Sequence, residues 1–273
     1  MKSDVTYNQI DTWSEKVLAQ GRYGFGLTEL KQSHTGLSNS AVKSALNRLS
    51  DKGKVLSVFK GYYLIIPPQY RSKGILPAQL FMDAFMKHLH RPYYVSLLNA
   101  AAFHGASHQQ PQEYFVITTF PVLRPTKKKG LKINYISIRE IPESLIEKRK
   151  TEAGYLNISN PALTAGDLIQ FEKRVGGLNR VATVLSELSE VIKPTDFNSE
   201  VLLHVQVTVL QRMGYLLENA CFNMELADAL FEAMKREGLS LYRIPMKTAK
   251  ETKGFSSENR WNVIVNTEIE IDE

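Results

Sequence analysis

The pattern of apolar and polar positions in the first third of the chain predicts two helices ahead of a longer one. Residues 6–19 hold apolar side chains near a 3.6-residue period, which predicts a helix. A shorter helix is predicted over residues 28–32, where Thr28 can cap the first turn. A turn over residues 33–36 separates it from the next periodic segment, so three helices follow one another closely.

The third helix, predicted over residues 38–52, has one apolar face and one polar face. Ser38 can cap its start, and Gly53 can end it. Its apolar residues stand at helical spacing and predict a buried stripe: Ala41, Val42, Ala45, Leu46 and Leu49. The opposite face carries polar and charged side chains: Ser40, Lys43, Ser44, Asn47, Arg48 and Asp51.

Two strand-like runs come next, over residues 55–59 and 62–66, and the short turn Lys60–Gly61 joins them. Helix, short helix, turn, longer helix and hairpin follow each other in the order of a winged helix-turn-helix domain. We assign residues 1–74 to this DNA-binding domain, because residues 70–74 have the character of a linker.

The remaining residues, 75–273, mix helical and strand-like segments without a regular βαβ order. Helices are predicted over residues 77–88, 96–103, 161–173, 178–191, 199–219 and 223–237. Strands are predicted over residues 114–120, 131–138, 155–158, 239–244 and 261–265. The fold class is therefore α+β, with an N-terminal winged helix-turn-helix domain and a larger mixed α/β C-terminal domain.

The second helix of a helix-turn-helix enters the major groove of DNA, and its early residues lie nearest the bases. The side chains that can read base edges by hydrogen bonding are Ser38, Asn39, Ser40, Lys43, Ser44 and Asn47. Two further cations, Lys31 and Arg48, are placed for phosphate contacts. On the hairpin, Lys54, Lys60 and Tyr62 can reach an adjacent backbone or minor groove. The sequence thus predicts double-stranded DNA as a partner; the alternative is a solvated polar face on a protein-interaction domain.

The charge distribution bears on the predicted DNA binding, because it divides the chain into basic and acidic parts. The 273 residues have a formal net charge of +6, with 34 Lys/Arg and 28 Asp/Glu. Residues 1–74 carry 11 Lys/Arg and 5 Asp/Glu, residues 75–150 carry the same numbers, and residues 151–273 carry 12 and 18. The front of the chain therefore favours a polyanionic partner. Lys127–Lys129, in the second basic part, fit either a further phosphate contact or a solvated hairpin loop.

No motif in the sequence predicts catalysis. The chain lacks the phosphate-binding loop G-x-x-x-x-G-K-[ST], the nucleophile elbow G-x-S-x-G and the metal-binding pair H-E-x-x-H. Gly176–Gly177 fits a helix stop better than a phosphate loop. Several side chains could in principle form a metal or nuclease site, but we assign them to packing or to the surface: His88, His90, His104, His108, Asp167, Glu172 and Lys173. We expect no enzyme activity, no metal and no cofactor.

The cysteine count and the apolar runs indicate the cellular location of the protein. The single cysteine, Cys221, excludes an intramolecular disulfide and is expected to be an inert core residue. No apolar run has the length of a membrane span, and no secretory signal is visible at the start. We therefore expect a cytoplasmic protein without a membrane partner.

Residues 27–66 resemble the winged helix of the AbiEi-type antitoxin family, whose members are the antitoxins of type IV toxin–antitoxin pairs. The likeness continues in Tyr93–Gly105 (YYVSLLNAAAFHG) and in Asn160–Leu168 (NPALTAGDL), and extends over roughly residues 10–190. The resemblance implies a repressor of its own operon that acts through the winged domain. It also implies a C-terminal domain that counteracts a toxin resembling a nucleotidyltransferase, without a need for a stable complex. The alternative is a winged-helix transcription factor whose C-terminal domain senses a ligand or a protein, with no toxin involved.

Overall fold

The computed structural model describes residues 2–106 and 111–271, which form two compact units that interleave along the chain. The first unit comprises Met1–Tyr94, Gln112–Ile141 and Lys148–Asn157. The second comprises Val95–Pro111, Pro142–Glu147 and Ile158–Glu273. Both helices and several sheets are present, so the α+β class predicted from the sequence is confirmed.

The first unit begins with the three predicted helices and the predicted hairpin. The elements are α1 (Lys2–Ala19), β1 (Gly24–Gly26), α2 (Leu27–Ser33), α3 (Asn39–Asp51), β2 (Val55–Phe59) and β3 (Tyr62–Ile65). The sequence did not predict β1, which pairs antiparallel with β3 and completes a three-stranded sheet in the order β1-β3-β2. We refer to residues 2–66 as the N-terminal segment.

A hydrophobic core holds the N-terminal segment together. Four of the five residues in the predicted apolar stripe of α3 are buried, whereas Ala41 is only half-buried, and α1 packs along this helix. Trp13 of α1 meets the Phe25 ring edge-on, with the ring centroids 5.0 Å apart. Other fully or nearly buried members of this core are Ile10, Leu30, Val42, Leu49 and Val55. Because one face of α3 is buried in this core, only the opposite face of the helix is accessible to a partner.

The ends of α3 follow the predicted local chemistry, whereas the start of α2 does not. The Ser38 hydroxyl accepts a hydrogen bond from the Ala41 backbone N–H and caps α3. Gly53, with φ of 67°, stands just past the helix end, where the left-handed conformation favours glycine. The cap predicted at Thr28 is wrong: α2 begins at Leu27, so Thr28 lies inside the first turn and Gly26 occupies the cap position.

A fourth helix covers the sheet of the N-terminal segment and explains why the first unit continues past residue 74. The segment predicted as one helix over residues 77–88 is a short 3-10 turn, Ala78–Leu80, followed by α4 (Met82–His88). Phe85 of α4 packs against Phe59 and Tyr62, with ring centroids 5.6 and 5.1 Å apart. The compact units therefore do not follow a division at residue 74.

A six-stranded sheet completes the first unit, and one end of each of three of its strands belongs to the second. Its strands are β4 (Tyr93–Val95), β5 (Tyr114–Thr119), β6 (Thr126–Lys128), β7 (Leu131–Ile138), β8 (Ile146–Thr151) and β9 (Gly154–Ser159). Their order is β6-β7-β5-β4-β9-β8. The predicted strands β5 and β7 are present but pair in parallel, so no hairpin loop joins them. The chain instead returns through β6, which pairs antiparallel with β7 and places Lys127 and Lys128 at an edge of the sheet.

The second unit is built mainly from helices. They are α5 (Leu97–Phe103), α6 (Pro161–Gln170), α7 (Leu178–Leu188), α8 (Ser199–His204), α9 (Val207–Asn219) and α10 (Met224–Arg236). The predicted start at Asn160–Pro161 is confirmed, because the Asn160 side chain accepts a hydrogen bond from the Leu163 N–H. The single helix predicted over residues 199–219 is wrong: Val205 is extended and separates α8 from α9. The late strands are two residues each, β10 (Ile244–Pro245) and β11 (Val263–Ile264).

One tryptophan fastens the last part of the chain to α9. Trp261 is fully buried, and its indole N–H donates to the Glu218 carboxylate at 2.7 Å. The Gln211 amide donates to the Trp261 backbone carbonyl at 2.6 Å. A β-carbon added to Gly214 would lie 2.1 Å from the Trp261 ring, so this position on α9 has room only for glycine.

We expect Gly214→Ala to destabilise the protein by about 3 kcal/mol, because the added methyl group must displace a fully buried ring. The helical preference for alanine over glycine, about 1 kcal/mol, acts in the opposite direction and is too small to compensate. Chemical unfolding of the full chain measures the change. Gly36→Ala is the control, because its β-carbon would enter open space and should change the stability by less than about 1 kcal/mol. Equal stabilities of the two variants would contradict this packing.

Candidate nucleic-acid interface

The exposed face of α3 brings together most of the side chains that the sequence predicts to read DNA. Ser40, Lys43, Ser44 and Asn47 are all exposed, and the buried stripe of the helix lies on the opposite side. Ser40, Ser44 and Asn47 stand four and three residues apart, a spacing that aligns side chains along one face of a helix. This face offers two hydroxyls, one amide and one ammonium group, which can donate to base edges or to phosphates.

The first residues of α3 have different roles. The Ser38 hydroxyl is 3.2 Å from the Ala41 N–H and 3.0 Å from the Ser40 hydroxyl, so it is engaged in capping the helix. Asn39, the first helical residue, is exposed. Ser38 therefore acts on the interface by fixing where α3 begins, while Asn39 and Ser40 present their side chains to the solvent.

Arg48 joins α3 to α1 and remains partly exposed. Its guanidinium donates to the Asp4 carboxylate at 3.0 Å and lies 4.8 Å from the centre of the Tyr7 ring. The hydrogen bond from Arg48 and its positive charge lower the pKa of Asp4. The Arg48 side chain keeps 42% of its surface exposed, so it is accessible to a phosphate that could compete with Asp4.

Lys54, which the sequence predicts to contact DNA, forms an ion pair within the protein. Its ammonium group donates to both Asp11 carboxylate oxygens, at 2.6 and 2.8 Å, and Glu15 lies 3.4 Å away. Hydrogen bonding to Asp11 raises the pKa of Lys54. This lysine is therefore paired within the protein and ties the start of β2 to α1, and its contact with DNA stays a prediction.

Tyr62, which the sequence also predicts to reach DNA, has a buried side chain. Only 2% of this residue is exposed, and its ring packs against Phe85 and His88. Burial raises the pKa of its hydroxyl, which has no hydrogen-bond partner among the described residues. By contrast, Lys60 is exposed at the Lys60–Gly61 turn, and Lys31 is exposed on α2.

The sequence did not indicate a groove that runs between α1 and α3 beside the exposed face. It has a volume of about 820 Å³ and combines apolar and hydroxyl-bearing residues. Ser38, Ser40, Ser44 and Arg48 line it from α3 and its cap. Val5, Thr6 and Gln9 line it from α1. The amino-terminal part of α1 is therefore a second element beside the candidate DNA surface, which residue types alone could not show.

The histidines that could form a metal site have packing or surface positions. The His88 ring lies 4.9 Å from the Tyr62 ring, and the His104 Nε2 lies 2.8 Å from the Ser159 carbonyl oxygen. His90 is exposed, and His108 lies outside the described residues. Over residues 2–106 and 111–271, no three His, Cys, Asp or Glu side chains come together in a group that could hold a metal ion.

The remaining side chains that could take part in catalysis or metal binding also have packing or surface positions. Asp167 is buried and accepts a hydrogen bond from the Ser96 hydroxyl at 2.6 Å, whereas Glu172 and Lys173 lie in a 3-10 turn. Burial raises the pKa of Cys221 to about 12, which keeps this thiol protonated. Among the helices that the structure describes, none combines the length and apolar character that a bilayer crossing requires.

Comparison with known proteins identifies the class of a large part of the chain. Residues 94–219 match the family model of the AbiEi antitoxin C-terminal domain. The resemblance found in the sequence is confirmed over this stretch, which is similar to an AbiEi antitoxin C-terminal domain. It includes parts of both compact units.

A solved structure shows the same overall fold. The chain is similar to the crystal structure of the RV2827C protein from Mycobacterium tuberculosis, with 16% sequence identity and a TM-score of 0.65. The similarity covers 92% of this chain and 89% of that chain, and at this identity it supports the fold alone. A comparison with curated protein sequences finds no match.

The two hairpin residues allow a direct test of this interface. We expect Lys60→Ala to make the salt dependence of DNA binding less steep by about one unit of the log–log slope, because one exposed cation is lost. Tyr62→Phe should leave DNA binding unchanged and alter stability by less than about 1 kcal/mol, because it removes a buried hydroxyl without a partner. Fluorescence anisotropy at several salt concentrations measures both variants. Weaker binding by a folded Tyr62→Phe protein would show that Tyr62 is accessible to DNA.

Proposed function

We propose that this protein is the antitoxin of a type IV toxin–antitoxin pair and that it represses its own operon by binding operator DNA. Its N-terminal segment acts as a winged helix-turn-helix, with α3 as the recognition helix and the β2–β3 hairpin as the wing. Its AbiEi-type domain acts in counteracting a toxin that resembles a nucleotidyltransferase. Neither activity requires an enzyme reaction, a metal or a cofactor.

The observation that carries the DNA-binding proposal is the division of α3 into two faces. Val42, Ala45, Leu46 and Leu49 are buried, so they fix the orientation of the helix. The face turned away from the core is polar and carries one unpaired lysine, Lys43. A helix held in this way can enter the major groove without any rearrangement of the core.

DNA binding would use two kinds of contact, one with phosphates and one with base edges. Lys31, Lys43 and Lys60 would bind phosphates, and Arg48 would join them by exchanging Asp4 for a phosphate. Ser40, Ser44 and Asn47, together with Asn39, would read base edges. Four phosphate contacts correspond to a log–log salt slope of about −4, because each neutralised phosphate contributes about −0.9.

The antitoxin proposal rests on the match of residues 94–219 to an antitoxin domain. The alternative, a transcription factor whose C-terminal domain senses a ligand or a protein, shares the same DNA contacts. A nucleotidyltransferase-like reading frame next to the gene supports the antitoxin, and its absence supports the alternative. Co-expression with that neighbouring product then tests the activity itself.

We expect Lys43→Ala and Asn47→Ala each to weaken binding to the duplex upstream of the gene by about 1–3 kcal/mol. Lys43→Ala should act by making the salt slope less steep, whereas Asn47→Ala should leave the slope unchanged and reduce the preference over a scrambled duplex. Lys235→Ala is the matched control, because Lys235 is an exposed lysine of the second unit. Wild-type affinity in both α3 variants would contradict the recognition-helix assignment.

Repression and toxin counteraction should be separable in the full chain. We expect a Lys43→Ala/Asn47→Ala double variant to lose repression of a reporter under its own promoter and still to protect cells that express the neighbouring toxin. Point variants are preferable to a fragment that begins at residue 75, because such a fragment would expose the Phe85 face that covers Phe59 and Tyr62. Loss of protection by the folded double variant, expressed at the wild-type level, would refute the separation of roles.

A further inference from the structure

The lysine-rich edge of the six-stranded sheet lies next to the hairpin of the N-terminal segment. β6, which contains Lys127 and Lys128, packs against β2 within the first unit. β2 is an outer strand of the three-stranded sheet, and β6 is an outer strand of the six-stranded sheet. Positive side chains that are more than 60 residues from the hairpin in sequence are therefore its neighbours in space.

The turn after β6 holds one of these lysines in a defined place. Lys128 pairs with Leu131 across the hairpin, so Lys129 and Gly130 form a two-residue turn. Both turn residues have positive φ, 44° and 83°, as the tight turns of this kind require. A β-carbon added to Gly74 would lie 3.1 Å from the Lys129 Cδ and Nζ atoms, so the Lys129 side chain lies directly over the Gly74 backbone.

The charges around this turn are mainly positive and largely without partners. Lys128 and Lys129 are exposed, and neither forms an ion pair with any described residue. Arg71 and Lys73, which are also exposed, precede Gly74 in the chain. The nearby carboxylate, Glu113, is already bound: hydrogen bonds from Lys132 and Asn134 and the nearby Lys127 charge lower its pKa.

Charged residues also occur on edge strands to prevent unwanted strand pairing, and this explanation makes a different prediction. The opposite edge strand of the same sheet, β8, carries its own exposed triplet, Lys148–Lys150. Edge protection would give the two triplets the same role. A role in binding DNA would distinguish them, because the β6 triplet adjoins β2 of the hairpin, whereas the β8 triplet lies at the other edge of the sheet.

We infer that Lys128 and Lys129 form a second phosphate-binding site, which extends the DNA-binding surface from the β2–β3 hairpin onto the edge of the six-stranded sheet. The inference rests on the proposed function, since it gives the same bound duplex a longer contact. The ligand is the sugar–phosphate backbone that flanks the sequence read by α3, so the site adds affinity without adding base specificity.

The test uses the full chain and a fluorescent duplex of the sequence directly upstream of its gene, with binding followed across a series of salt concentrations. The test variant is Lys128→Gln/Lys129→Asn, where asparagine is chosen because it tolerates the positive φ at position 129. The matched control is Lys148→Gln/Lys150→Gln, which removes the same charge from the opposite edge. A third variant, Lys128→Arg/Lys129→Arg, retains the charge.

We expect the test variant to bind about 3- to 10-fold more weakly at low salt and to have a log–log slope less steep by about 1.8, which corresponds to two lost phosphate contacts. The preference for the upstream duplex over a scrambled one should not change. The Lys148→Gln/Lys150→Gln and arginine variants should bind like the wild type. Equal melting temperatures would show that all variants are folded.

Three results would overturn the inference. If the test variant keeps the wild-type slope while Lys43→Ala loses affinity, the second phosphate site is refuted and the proposed function stands. If the test and control variants weaken binding equally, the effect is one of net charge and not of a site beside the hairpin. If the wild-type protein does not distinguish the upstream duplex from the scrambled one, the proposed function fails and the inference fails with it.

Discussion

The N-terminal segment depends on burying both faces of a small three-stranded sheet. One face contributes Phe25, Val55 and Ile65 to the core that holds α1, α2 and α3, and the other meets Phe85 of α4 through Tyr62 and Phe59. Large aromatic and branched side chains supply most of the free energy of such packing, because they remove the largest apolar area from water. The same burial fixes the orientation of α3, so the polar face with Ser40, Ser44 and Asn47 is left on the surface as a consequence of the core.

In the second unit, buried polar groups have partners that fix the positions of separate segments. Asp167 of α6 accepts a hydrogen bond from Ser96 before α5, and Gln211 of α9 donates to the carbonyl groups of Tyr242 and Trp261. Buried polar groups of this kind are costly when a partner is lost, so they favour one arrangement of the helices over others. Trp261 lies beyond the matched residues 94–219, yet it packs on Gly214 within them. The stretch that matches the family model therefore packs against a residue that follows it in the chain.

Local signals predicted those parts of the structure that depend on neighbouring residues. The Ser38 cap, the apolar stripe and Gly53 defined α3, and the Lys60–Gly61 turn defined the β2–β3 hairpin. What the sequence did not reveal depends on residues that are distant in the chain. The Asp11 that neutralises Lys54 is 43 residues away, and Tyr62 is buried only because α4 covers the sheet. The parallel pairing of β5 with β7 has no local signature, because the residue types of these strands do not indicate whether a partner strand runs parallel or antiparallel. Contacts with residues distant in the chain therefore determine how accessible the predicted DNA-binding side chains are, and residue types alone do not reveal these contacts.

The structure separates the cations in the basic front half of the chain into paired and available ones. Some of its cations are used internally, as with Lys54 and Lys132, and others remain available on α3, at the hairpin turn and on β6. The proposed function requires that α3 reads DNA, and a crystal structure of the full chain with the duplex from upstream of its gene would show whether it does. We expect the Ser40, Ser44 and Asn47 side chains to lie within hydrogen-bonding distance of base edges in a major groove. A complex in which this face of α3 is turned to solvent, with the duplex bound elsewhere on the protein, would contradict it.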